Sequence, residues 1–461
     1  MKRLGKSRAG GFRRLWSVGL ALTLGLLAAC GSSSQTGGSV AGLKGPHNSL
    51  ITCPSSTTGT TAAAETGNIT LNVTGWSSSP AEDTLVQAGL LAFHEKYPNI
   101  TANWSPIPSD YQTKQRANVA AGNVADVFYV SPDMPQEYVK AGKLLNLSPY
   151  LQRDNVQPSN YYSALQTPFD CADGTVYAIP KDWSSLGLFY NKTMFQAAGL
   201  SDPTTWSWTD LQSAAQKLTK VTGTTATSVY GAALPADTSR FGAFLFANGG
   251  QMLSADGKTA AFNNAAGVAA ATFYTGFEAN KTGKTPTDIG AGWDGEAFGK
   301  GEVAMTFEGS WMIPYMSSTY PDVKYGIAPL PSAPTGGHSN LVYTNGWGAY
   351  SGTSHPDAAW KLIKFMTGAD YETQVLHDGF GLPSISSLSS DSYFTQNPGV
   401  KVLLDGNQGA HADFYGAADS KVHSEVANAL QSIMLGKASV QDALNTAANN
   451  VNTFIQQNVG P

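Results

Sequence analysis

Residues 69–98, ITLNVTGWSSSPAEDTLVQAGLLAFHEKYP, decide the fold. Ile69, Leu71 and Val73 alternate with polar residues, the period-two pattern of a half-buried strand. After a Gly75-Trp76 turn, Ser79-Pro80-Ala81-Glu82 reads as a capping box with proline at the first helical position. Behind it Val86, Leu90, Phe93 and Tyr97 share one helical face, and Pro98 stops the helix. The same grammar recurs along the chain. Val124–Val130, Gly187–Asn191, Val303–Phe307, Val323–Ala328 and Gly346–Tyr350 read as strands. Ser207-Trp208-Thr209-Asp210, Ser354-His355-Pro356-Asp357 and Ser439-Val440-Gln441-Asp442 read as helix starts. Strands alternating with helices predict an α/β fold, and no repeat of fixed period is present.

The chain has 461 residues, too long for one ordinary domain. Only 13% of them are charged, against about a quarter in an average globular protein. Residues 1–14 are basic and 15–29 (LWSVGLALTLGLLAA) are apolar, the layout of a secretory signal and too short to span a membrane comfortably. The run ends in Leu27-Ala28-Ala29-Cys30, the pattern of a bacterial lipobox, so 1–29 is expected to be a lipoprotein signal peptide and Cys30 the acylated first residue. The other reading is a plain cleaved signal beside a chance cysteine. Two or more acyl chains anchor a protein stably to a membrane, where one does so marginally. Residues 30–67 are then the lipidated cysteine and a Gly/Ser/Thr/Ala-rich tether that cannot bury enough surface to fold alone.

Six of the 28 basic residues, and none of the 33 acidic ones, precede Cys30; the remainder, 22 basic against 33 acidic, carries −11. That balance disfavours a nucleic-acid or anionic-membrane binder. Three cysteines cannot form a disulfide scaffold. With Cys30 lipidated, Cys53 and Cys171 are either a bridge pinning the tether to the body or two unrelated thiols.

Nucleophile-elbow, zinc-protease and C-x-x-C motifs are absent, Gly5-Lys6-Ser7 lacks the upstream half of a phosphate loop, and no two of the seven histidines stand four apart. No catalytic residue, metal or cofactor is expected. What the sequence does offer is tryptophan beside small polar or acidic residues: Trp76-Ser77, Asp182-Trp183, Trp293-Asp294, Glu308-Gly309-Ser310-Trp311 and Gly346-Trp347. A flat ring can cover the C–H face of a sugar while neighbouring carboxylate, amide and hydroxyl groups bond its hydroxyls. The plain alternative is that each tryptophan is core.

At these segments the chain resembles the family 1 extracellular solute-binding proteins, the receptor lipoproteins of ABC sugar importers, a group that includes maltose-binding protein. Phe93–Pro98 (FHEKYP) is similar to the family's FEKKYP, Ala120–Phe128 (AAGNVADVF) to AAGNAPDVF, and Tyr177–Pro180 with Leu188–Lys192 to YGIP…LYYNK. Pro203–Trp206 stands where PPTTW is usual, and Asn248–Gly250 matches NGG. Phe298–Met305 with Gly309–Trp311 resembles FASGKAAM…GSW, Tyr325–Pro331 is YGIAPLP, and His355–Phe365 resembles PEAAWKFIKF. Gly381–Pro383 resembles GxLP and Gly436–Leu444 the C-terminal GKxSVEEALD. The order is kept from about residue 68 to the C-terminus. Two departures stand out: Ser384-Ile385 follows Pro383 where a small residue and Arg are common, and Cys171 lies in a loop that is usually polar.

The resemblance implies a type II periplasmic-binding-protein fold, two α/β lobes flanking a cleft with three hinge crossings. By matching segments, the crossings are expected near Ile179–Asp182, Thr306–Gly309 and Gly379–Pro383, giving lobe one as 68–179 plus 308–380 and lobe two as 180–307 plus 381–461. The candidate ligand-binding residues are Trp76, Ser77, Asp126, Asp182, Trp183, Ser310, Trp311, Gly346 and Trp347, which come just after predicted strands or at crossings, where ligands of open α/β sheets bind, together with Trp293 and Glu308 from the tryptophan-polar pairs. The implied protein is an exported monomer, lipid-anchored to the outer face of the cytoplasmic membrane. It binds a sugar and passes it to importer membrane subunits, without touching nucleic acid. Its rivals are the same fold holding a polyamine, a metal chelate or a peptide, and a secreted glycoside hydrolase with paired carboxylates.

Overall fold

A computed structural model describes residues 61, 65–77, 80–171, 173–223 and 228–458. The expected signal peptide, Cys30, Cys53, most of the tether and the Ser79 cap lie outside them. The described residues form eleven strands. They are β1 (Ile69–Thr74), β2 (Ile100–Trp104), β3 (Val127–Val130), β4 (Ala178–Ser185), β5 (Gly187–Asn191), β6 (Ala232–Ala233), β7 (Gly283–Lys284), β8 (Met305–Glu308), β9 (Tyr325–Ala328), β10 (Leu341–Ala349) and β11 (His411–Ala412). The first sheet runs β11-β10-β3-β1-β2, with β4 also paired to β10; the second runs β8-β5-β9, and β6 pairs with β7. β1 is parallel to β2 and β3, as an α/β crossover requires. β10 is antiparallel to β3 and β4.

The two largest cores lie against the two larger sheets. Leu71, Phe93, Phe128, Trp347 and Trp360 pack around the first. Leu188, Phe244, Phe307, Leu341 and Leu444 pack around the second. The sequence reading of β1 and of the helix Pro80–Lys96 is met: Val86, Leu90 and Phe93 are buried, and the helix ends two residues before Pro98. Ser207 caps the helix Trp208–Leu218 in a full capping box with Asp210. Ser439 and Asp442 exchange bonds at the start of Val440–Asn458.

Two strands join the cores. β4 starts in the first core with Ala178 and Ile179, and the chain continues through Leu186 into β5 in the second. β10 returns antiparallel to it, from Leu341 in the second core to Trp347 and Ala349 in the first. This corrects the expected crossing at Thr306–Gly309, and with it the assignment of 308–340 to lobe one. β8 and β9 both pair with β5, so the chain stays on the second sheet until β10. A third passage follows the helix Ala369–His377. There Leu382 bridges Trp183, and Ser384 and Ile385 both bond the buried Glu372 carboxylate, the one through its hydroxyl and the other through its backbone N–H. The Ser384-Ile385 departure is thus matched by an acidic partner of its own.

The body also begins earlier than residue 68. Glu65 accepts the Asp357 backbone N–H (3.2 Å) and lies 2.9 Å from His355 Nδ1, capping the helix Pro356–Met366. Cys171 is buried and disulfide-bonded, its partner lying outside the described residues.

Candidate functional site

Between the two sheets lies a cavity of about 1310 Å³. Its first wall consists of residues just beyond the carboxyl ends of β1 (Trp76, Ser77) and β3 (Ser131, Pro132, Asp133). Its second wall follows β6 (Pro235–Arg240), β7 (Thr285–Asp288), β8 (Ser310, Trp311) and β11 (Asp413, Phe414). Both walls obey the carboxyl-end rule for α/β sheets. Asp182–Ser184 of β4 and Val342–Asn345 of β10 form the floor where the chain crosses. One face of the helix Asp419–Met434, with Ser424, Asn428 and Gln431, extends the second wall outward.

Seven of the sequence candidates meet there: Trp76, Ser77, Asp182, Trp183, Trp293, Ser310 and Trp311. Trp76 is the most open, 42% exposed. Trp293 lies edge-on to Tyr315 (4.7 Å, 61°), folded over Gly295, whose absent Cβ would come within 2.2 Å of the indole. Asp182 is ion-paired with Lys181, which sits over the Tyr129 ring at 4.7 Å. Trp183 offers the cavity only its margin. It is 1% exposed, and its indole N–H bonds the Pro383 carbonyl at 2.9 Å.

Four candidates are not brought there. Asp126 precedes β3 rather than following it, and its carboxylate accepts the Asn72 N–H (2.8 Å) and the Thr353 hydroxyl (2.6 Å). Gly346 serves the crossing: a Cβ would stand 3.0 Å from that of Ala178, and β10 shifts register beside it. Trp347 is core, 1% exposed against Tyr129 (4.4 Å, 68°). Glu308, fully buried, has both oxygens engaged, Oε1 by Arg240 Nη2 (2.8 Å) and Oε2 by Trp311 Nε1 (2.6 Å).

The charges of the second wall were not singled out from sequence. Arg240 sits among Glu308, Asp237 (3.5 Å) and Asp294 (3.8 Å). Burial works against its charge, but these carboxylates outweigh it and hold the guanidinium firmly protonated. Burial pushes the Asp237 carboxyl up to about 6, although Arg240 opposes the shift. Asp419 is likewise raised by burial to about 7, with His423 opposing. The available signal was the N-cap spacing Asp237-Thr-Ser-Arg240: Asp237 accepts the Arg240 N–H at 2.8 Å and so sets Arg240 in the first turn of the helix Thr238–Ala247. Chemically the cavity offers broad aromatic faces between hydroxyl, amide and carboxylate groups, a surface suited to a polyhydroxylated solute.

Residues 76–373 match the family model of the bacterial extracellular solute-binding proteins, and the chain belongs to that family. The multiple sugar-binding protein of Streptococcus mutans is 26% identical, over 60% of this chain and 66% of its own. An ABC substrate-binding protein of Listeria monocytogenes solved with cycloalternan superposes with a TM-score of 0.76 at 22% identity, covering 84% of this chain and 99% of that one. Maltose-bound MalE3 of T. maritima gives 0.73 at 20% identity, covering 84% and 100%. The fold is therefore that of the periplasmic binding proteins.

Proposed function

We propose that this protein is an extracytoplasmic receptor that takes a sugar or oligosaccharide into the cleft between its two sheets and delivers it to an ABC importer. The cavity carries the reading. At about 1310 Å³ it exceeds the roughly 300–1,000 Å³ of ordinary small-molecule pockets. It sets Trp76 on one wall against Trp293 and Trp311 on the other, with carboxylate, amide and hydroxyl groups between. The sugars named for the solved relatives support the same class of ligand. In this reading the two cores are lobes hinged at β4, β10 and the segment after His377. Contacts to both walls exist only when the lobes are together, so the solute shifts the population toward the closed form. No covalent step is involved. The monomeric receptor is tethered through acylated Cys30, and Cys53 is the partner of Cys171.

A thermal-shift screen of the body against mono- and oligosaccharides tests this. A bound sugar raises the midpoint by mass action and is recovered unchanged. A midpoint raised only by polyamines, metal chelates or peptides would replace the sugar with another solute, and a steady release of product would replace the receptor with a hydrolase.

A further inference from the structure

The role of Trp311 depends on how it is held. The indole projects from the turn after β8, and four contacts fix it. Its N–H donates to Glu308 Oε2 at 2.6 Å. The Arg240 guanidinium lies 5.9 Å from its ring centroid and donates through Nη2 to Glu308 Oε1 (2.8 Å) and through Nε to the Phe307 carbonyl (3.3 Å). The ring folds over Gly309, where a Cβ would come within 2.3 Å of it. Tyr343 meets it edge-on at 5.6 Å and 85°. The turn is itself pinned to β4, since the Ser310 N–H donates to Ser184 Oγ at 2.8 Å.

We infer that Arg240 and Glu308 are a positioning pair, which holds the Trp311 indole as a fixed platform on the cleft wall and does not itself contact the solute. This rests on the receptor reading above, since it names what serves that site. A buried carboxylate needs charged or hydrogen-bonded partners. Glu308 spends one oxygen on a cation and the other on the indole, and the side chain is fully buried, so neither oxygen faces a sugar hydroxyl in the cleft. Arg240, on the second wall, turns Nη2 to Glu308 and Nε to the β8 backbone and holds Nη1 beside Asp237 (3.5 Å). A ring held this way has little rotamer freedom left to lose on binding. A released ring would pay that cost, and affinity would fall about threefold to tenfold.

The test uses Glu308→Gln, which turns one acceptor into a donor, so that either Arg240 or Trp311 loses its partner. The ligand-independent readout is the indole ¹⁵N–¹H resonance of Trp311, assigned by its disappearance in Trp311→Phe. It is expected to shift toward the free-indole position and to exchange faster with solvent in Glu308→Gln. With the best sugar from the screen, Glu308→Gln should weaken binding threefold to tenfold in the native background and not at all in Trp311→Ala. Additive losses would mean that Glu308 touches the sugar, and an unmoved resonance would mean that it does not hold the ring; either overturns the pair. Should Glu308→Gln fail to fold, Gly309→Ala displaces the ring with every charge in place and is expected to give the same shift and the same non-additivity. A protein that binds no sugar would sink the receptor reading, while the resonance would still decide the positioning.

Discussion

Burial sets the protonation of individual carboxyls, and this makes stability depend on pH with a definite sign. Asp419 is raised to about 7 and Asp237 to about 6, each chiefly by burial. Asp170, bonded to Gln166, is also raised by burial to about 7. In the unfolded chain such groups titrate near 3.9. Between about pH 4 and 7 the folded chain therefore binds more protons, and stability falls as pH rises. His423 adds in the same direction above about pH 6.5: Asp413 and Asp419 overcome its burial and raise its pKa, so its contribution is present at low pH and lost as pH rises. Below about pH 4 the sign reverses through Asp154, which Arg153 holds well below the usual range. The melting temperature should drop between pH 5 and pH 8, and less steeply in Asp419→Asn. A melting temperature that climbs over that interval would contradict this. Tryptophan beside small polar or acidic neighbours singled out Trp76, Trp293 and Trp311, which line the cavity, and equally Trp347, which does not. It shares their context of small neighbours, yet β10 turns it toward Tyr129 and Trp104. Trp347→Ala should cost about 3–5 kcal/mol of stability, the range for a large aromatic removed from a core, read from denaturant midpoints. A loss of affinity at unchanged stability would return Trp347 to the site.

At the level of elements, what could be read from sequence follows what each element packs against. β5 was legible to the residue because Gly187–Asn191 is buried throughout. The start of β10 was not. Its middle, Tyr343-Thr344-Asn345, is only half-buried as it passes from one core to the other, so the apolar signature lapses and only the Gly346–Tyr350 end reads as strand. The same gap hid the true second crossing. All three helix starts were legible, but only at Ser207 and Ser439 was the capping partner legible with them; at Pro356 the start was read correctly while the group that caps it, Glu65, stands some 290 positions away. Ser207→Ala and Glu65→Ala should each lower stability by about 1 kcal/mol, the usual cost of an N-cap. Chemical denaturation with an unchanged slope checks this. If Glu65→Ala leaves the midpoint in place, the segment before β1 is not part of the folded body.

At the level of the whole molecule, two cores joined by antiparallel crossing strands give a cleft whose facing tryptophans follow strands of different sheets. Trp76 follows β1, and Trp311 follows β8. The proposed attachment to the membrane is a separate matter and rests on the N-terminal sequence. Cys30→Ala should leave the protein without acyl chains by mass spectrometry and in the soluble fraction, and native protein lacking those chains would exclude the anchor. The central claim is that the solute bridges both walls, and the most direct test is titration calorimetry of the best sugar into native protein, Trp76→Ala and Trp311→Ala, with melting curves alongside. Stripping either wall should weaken binding in a protein that stays folded. The expected loss is about tenfold for the half-open Trp76, and about thirtyfold or more for the fixed Trp311, the scale of an aromatic hot spot. Native affinity in either folded variant would mean that the sugar does not lie between the walls.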